Sequence, residues 1–332
     1  MTSVSAPPAD TGSIQQTRAG MLALVEQRLR HLPAPQEAHR VDAAPRAAQP
    51  AEDPAALVAD GGTRLRPLFC VSAFLAAGGN PGDPVAVDTC AALALLHPRA
   101  RLHADSTSAA ETGALFGDRA RAHADRLATR LPAAARTVWN DLRAEPATGP
   151  HPDHATTNPA AADNAAGSAL SALSALSGHR AGPGPGRGTL HRPLVLGALL
   201  AGRPELAPSF EDYGLALDEA SRLRDDLIDV FGPAQDTDRP TGPGPARHRA
   251  TLLLAVAAER SPHAGALLAR NGHADAALLR RLLDESGTKA TAERRIAGLV
   301  DRACAALATP ALGRPWRQEF SRLATRLAYR GD

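Results

Sequence analysis

Along most of this chain, apolar residues recur every three or four positions, and that spacing predicts one helix after another. From Thr17 to Leu32, the positions Met21, Leu22, Leu24, Val25, Leu29 and Leu32 fit one broad helical face. A short helix is expected from Pro54 to Ala59, stopped by Gly61-Gly62. A longer amphipathic one follows from Arg64 to Ala77, closed by the turn signal Gly78-Gly79-Asn80-Pro81-Gly82-Asp83-Pro84. Helix resumes from Val85 to about Leu102, kinked by Pro98. Further helices are expected at 113–131, 133–144, Ala165–Leu176, Leu190–Ala201 and Ser209–Phe231, with several short ones from His248 to Tyr329. Residues 1–15 read as a disordered tail, and 33–52, 146–166 and 232–247 as loose segments rich in Pro, Gly and polar residues. No alternating β pattern and no fixed repeat appears. The expectation is an all-α chain of roughly ten helices, forming a single domain over 16–332.

Composition narrows this further. The chain has 332 residues, 44% hydrophobic but only 3% aromatic. Its core must therefore be built from Ala, Leu and Val, which suits closely packed helices better than a β-sandwich. The 37 basic and 35 acidic residues leave a net charge of +2, so charge gives no reason to expect a nucleic-acid partner. Lys289 is the only lysine. Cys70, Cys90 and Cys304 are far apart without metal-ligand spacing, and are expected to be buried small residues in a reducing compartment. No stretch reaches the ~18 apolar residues that suggest a membrane span, and no signal peptide opens the chain. A cytoplasmic location is the expectation.

Candidate chemistry is concentrated in Arg222-Leu-Arg-Asp-Asp-Leu-Ile-Asp-Val-Phe231. On a helix, Asp225 and Asp229 stack one turn apart, and Asp226 lies about 100° round from Asp225. Three carboxylates this close repel one another unless positive charge stands among them. Mg²⁺ bridged to phosphates is one solution, because it takes one or two carboxylates plus substrate oxygens. The plain alternative is a solvated stripe of ion pairs through Asp218, Arg222, Asp225 and Asp229.

Three segments, in order, resemble the trans-prenyl diphosphate synthase (polyprenyl synthetase) family. They are Gly61-Gly-Thr-Arg-Leu-Arg-Pro67 with its following apolar helix and Gly78-Gly79, Ala91-Ala-Leu-Ala-Leu-Leu-His97 running to Leu102-His103, and Arg224-Asp-Asp-Leu-Ile-Asp-Val-Phe-Gly232. Weaker echoes are Gly188-Thr189 ahead of Gly197-Ala-Leu-Leu-Ala-Gly202, and Asp238-Arg-Pro-Thr-Gly242 with Arg249-Ala-Thr-Leu-Leu-Leu254. The resemblance spans roughly residues 20 to 305. It implies an all-α bundle around a central cavity, in which two aspartate-rich clusters hold Mg²⁺ against an allylic diphosphate. The cation formed as pyrophosphate leaves is attacked by isopentenyl diphosphate. By the same resemblance Asp225, Asp226, Asp229 and Asp105 are metal ligands. Arg64, Arg66 and His97 bind isopentenyl diphosphate, and Thr189, Arg239 and Arg249 serve the allylic diphosphate. A dimer follows, either of this chain with itself or with a related synthase.

The departures from the pattern matter as much. The first aspartate-rich run reads Ala104-Asp-Ser-Thr-Ser108, so Asp105 alone survives there. The family's paired arginines fall on Gly113 and Ala114, one lysine on Thr63 and another on Gly188. The glutamine before the second cluster falls on Arg222. Losing two carboxylates removes charge that the ions need, and Mg²⁺ dehydrates reluctantly. Three functions stay open: a Mg²⁺-dependent prenyltransferase with impaired or altered activity, a non-catalytic partner or regulator of an active synthase, and a diverged class I terpene cyclase.

Overall fold

A computed structural model of the chain describes residues 11–32, 65–96, 120–144, 190–231, 281 and 283–329. All regular structure among the described residues is helical. The helices are α1 (Thr11–Arg30), α2 (Leu65–Ala76), α3 (Pro84–Leu95), α4 (Ala133–Ala144), α5 (His191–Leu200), α6 (Ala207–Phe231), α7 (Thr288–Ala306) and α8 (Arg314–Ala328). Residues 120–127 are also helical and run into a 3₁₀ turn at Ala128–Arg130. None of these helices is long and apolar enough to cross a membrane.

The helix at 64–77, the 78–84 turn and the helices at 133–144, 190–201 and 209–231 match expectation to within two residues. Other expectations need correction; the helix expected from Val85 to about Leu102 already ends at Leu95. α1 begins at Thr11, so residues 11–15 are not part of a disordered tail. Ile14 is fully buried and Gln15 donates to Glu319 at 3.2 Å, long-range contacts that no local pattern announces. The expected short helices near the C-terminus include two long ones, α7 and α8. The expected helices at 54–59 and 165–176, and the loose segments at 33–52, 146–166 and 232–247, lie outside the described residues.

The chain forms two compact units. The first comprises Met1–Gly149, Gly188–Gly214 and Leu307–Glu319. In it α2 packs against α5, α3 and α1, while α3 packs on α1 and α4 on α5. Nearly every residue of α2 and α3 is buried, so the helix expected to be amphipathic at 64–77 is enclosed on almost all sides. α3 starts cleanly because Asp83 accepts from the Val85 amide at 2.8 Å, with Pro84 opening the first turn. α2 and α5 end alike. Gly78 (φ 86°) and Gly202 (φ 70°) take the left-handed conformation, and the next amides reach back to Phe74 and Ala198.

Small residues set the α2–α5 spacing. A Cβ on Gly197 would lie 2.8 Å from the Phe74 amide nitrogen and 2.9 Å from Ala73 Cβ, and would meet the Cys70 carbonyl more closely still. Cys70 and Cys90 are buried as expected. A hydrogen bond between the two thiols, reinforced by burial, pushes the Cys70 thiol well above its ordinary range. Cys304 departs from expectation in being only half-buried.

Two buried carboxylates of this unit are matched by basic side chains. Asp88 on α3 is 7% exposed and takes Arg28 Nε at 2.5 Å on one oxygen and Arg130 Nη2 at 2.6 Å on the other. One carboxylate thereby ties α1, α3 and the 3₁₀ turn together. Glu319, 2% exposed, does the same for α1, pairing with Arg18 at 2.8 Å as well as with Gln15.

Two stability changes follow. Gly197→Ala forces backbone apart at the α2–α5 crossing and is expected to cost about 1–3 kcal/mol. Asp88→Asn removes two charge-assisted hydrogen bonds, but both arginines can turn to water, so a loss of about 1–3 kcal/mol is expected. Denaturant midpoints against the parent chain check both.

Candidate functional site

The residues singled out by their chemistry lie near the end of α6. Pro204 starts a 3₁₀ turn through Leu206 that leads directly into the helix. Phe210, Tyr213, Leu217, Ala220, Leu223 and Leu227 recur at helical spacing and are all buried. Glu211 and Asp212 on the other side are exposed.

Three charged residues of this helix are buried. Asp218 is 6% exposed, Arg224 5% and Asp226 2%. Asp225 is half-buried, as is Arg222. The simple picture of a solvated Asp/Arg stripe therefore fails at Asp218, which is buried. Beside that stripe, Asp226 is buried too. Burying a carboxylate is costly unless charge or hydrogen bonds offset it.

The second unit comprises Pro150–Arg187, Leu215–Ala306 and Phe320–Asp332, and it holds this part of α6 by polar contacts. Glu219 receives Arg295 Nη2 at 2.6 Å and Arg302 at 3.6 Å, both from α7. Arg224 Nε donates to the Ala328 carbonyl, the last residue of α8, at 2.6 Å. The same guanidinium lies over the Tyr329 ring, 5.4 Å from its centroid. At the end of α6, Lys289 Nζ stands 5.4 Å from the centre of the Phe231 ring. Sequence reasoning missed these partners. Arg224 and Tyr329 are 105 positions apart, and no local period connects them.

Of the other expected site residues, Arg66 is the second residue of α2 in the first unit and is 8% exposed. Asp225 and Asp226 sit side by side on α6, and Asp229 follows within the same helix. Arg64, His97, Asp105, Thr189, Arg239 and Arg249 lie outside the described residues. Among the described residues, no group of three or more acidic, His or Cys side chains is assembled for a metal. The donor chemistry of Asp225 and Asp226 nevertheless suits Mg²⁺, a hard cation that takes one or two carboxylates and completes its shell with substrate oxygens and water.

No protein-family model matches the chain. Solved structures do resemble it. One is a candidate geranylgeranyl pyrophosphate synthase from Corynebacterium glutamicum, 26% identical, with a TM-score of 0.65 over 98% of this chain and 100% of that one. Another is the geranylgeranyl pyrophosphate synthase of the same organism complexed with isoprenyl diphosphate and magnesium, 22% identical, with a TM-score of 0.62 over 96% and 98% of the two chains. A third is the Caulobacter crescentus polyprenyl synthase complexed with calcium and isoprenyl diphosphate, 21% identical, with a TM-score of 0.61 over 96% of each chain. The chain has the all-α fold of the polyprenyl and geranylgeranyl diphosphate synthases.

Proposed function

We propose that this chain is a Mg²⁺-dependent prenyltransferase of isoprenoid biosynthesis, joining an allylic prenyl diphosphate to isopentenyl diphosphate at a reduced rate. The observation that carries this reading is the pair Asp225 and Asp226 on α6, the second deeply buried, in a chain with the synthase fold. Asp225, Asp226 and Asp229 are the principal metal ligands, with Asp105 the remnant of the opposing cluster. When bound, the ion would neutralise the allylic diphosphate and the pyrophosphate that leaves. Arg66, with Arg64 and His97, takes isopentenyl diphosphate. A guanidinium presents a rigid fork of donors that matches phosphate oxygens. Thr189, Arg239 and Arg249 support the allylic diphosphate. The same reading has the protein act in the cytoplasm, as a homodimer or paired with a related synthase.

The reduced rate follows from Ala104-Asp-Ser-Thr-Ser108, where hydroxyls replace carboxylates. Removing one charge-stabilising contact costs about 10²–10³ in rate, and here two carboxylates are missing. That same replacement favours one second reading, a non-catalytic partner that lends its fold to an active synthase.

Incubating the chain with Mg²⁺, isopentenyl diphosphate and dimethylallyl, geranyl or farnesyl diphosphate tests the first reading. Slow pyrophosphate release with a chain-extended product is expected, falling by about 10²–10³ in Asp226→Asn. No pyrophosphate and no extended product from any allylic substrate would sink it. If a related synthase then turns over faster with this chain than alone, the partner reading stands.

A further inference from the structure

We propose that Arg224 is a positioning residue that fixes the carboxylates of α6 by gripping the end of α8, so that Ala328 and Tyr329 belong to the support of the site. The proposal rests on the reading of Asp225 and Asp226 as ligands of a metal–diphosphate complex, and deepens it.

The geometry is specific. Arg224 directly precedes the two carboxylates. Its side chain leaves the helix about 160° from that of Asp226, measured the short way round. It cannot reach a ligand held by Asp226 and acts from behind. There it is 5% exposed, so its guanidinium is enclosed with its five donors. Two features accommodate that charge. The Ala328 carbonyl, 2.6 Å from Nε, lies in the last turn of a helix, where carbonyls have no partner within the helix and the dipole favours a cation. The Tyr329 ring, itself 38% exposed, covers the guanidinium at 5.4 Å. A lysine could supply the charge but not the planar stack with a simultaneous hydrogen bond.

The consequence concerns precision. Side chains at such a site must be held within about 0.5 Å of their working geometry by neighbours that are themselves locked. α6 ends at Phe231, two residues after Asp229, and helix ends fray. Glu219 with Arg295 and Arg302 ties α6 ahead of the cluster, and the Lys289–Phe231 contact closes it behind. Arg224 is the buried tie between them, one residue from the first carboxylate.

The test is titration of Mg²⁺ with inorganic pyrophosphate into the full chain and into Arg224→Gln, Arg224→Lys, Tyr329→Ala and Tyr329→Phe, with the melting temperature of each measured alongside. All titrations are run well below the lowest melting temperature. Arg224→Gln and Tyr329→Ala are expected to bind roughly tenfold more weakly, corresponding to about 1.4 kcal/mol. Arg224→Lys should fall between these and the parent, and Tyr329→Phe, which keeps the ring, should match the parent. Lower melting temperatures with parental affinity in both Arg224→Gln and Tyr329→Ala would show a merely structural contact and overturn the proposal. Should Arg224→Gln fail to fold, Tyr329→Ala decides, because Tyr329 lies just past the end of α8 and is exposed. A parent chain that binds no Mg²⁺–pyrophosphate overturns the metal-site reading itself, and this inference with it.

Discussion

A helix that buries Asp218, Arg224 and Asp226 along with its leucines cannot be held by apolar packing alone. Each buried charge would cost several kcal/mol if it were left without compensation. For Arg224 the chain meets this constraint with the Ala328 carbonyl and the Tyr329 ring at the end of α8, and nearby Glu219 is tied by Arg295 and Arg302 of α7. The first unit follows the same rule at Asp88 and at Glu319. A core this poor in aromatic residues gains its specificity from such ties and from close helix crossings such as the one at Gly197. The carboxylates near the end of α6 inherit their positions from that arrangement.

How much of this was legible in the sequence depends on the range of the interaction. α2, the following turn and α4 to α6 could be read because apolar spacing, Asp83-Pro84 and the Gly78 and Gly202 stops act locally. The start of α1 could not, because Ile14 and Gln15 are ordered by residues far along the chain, including Glu319. The aspartate cluster was visible as a motif, yet its burial pattern was not. Spacing put Asp225 and Asp229 on one stripe but gave no sign that Asp226 would be buried. Arg224 stood within that motif from the start. Its role appears only once the end of α8 is in place beside it, since a carbonyl and a ring 104 and 105 positions away leave no periodic trace.

The chain combines the synthase fold with adjacent carboxylates near the end of α6. Fold alone does not decide chemistry, because the same scaffold can lose its reaction and keep its shape. What distinguishes the two outcomes here is whether the Asp225, Asp226 and Asp229 cluster on α6 takes a metal with a diphosphate. The most direct measurement is a crystal structure of the full chain grown with Mn²⁺ and an isoprenyl diphosphate, with the metal located by its anomalous scattering. The account predicts a metal peak within about 2.2 Å of carboxylate oxygens of the Asp225, Asp226 and Asp229 cluster and in contact with the diphosphate. Diphosphate bound with no metal at that cluster, or a metal bound elsewhere in the chain, would contradict it.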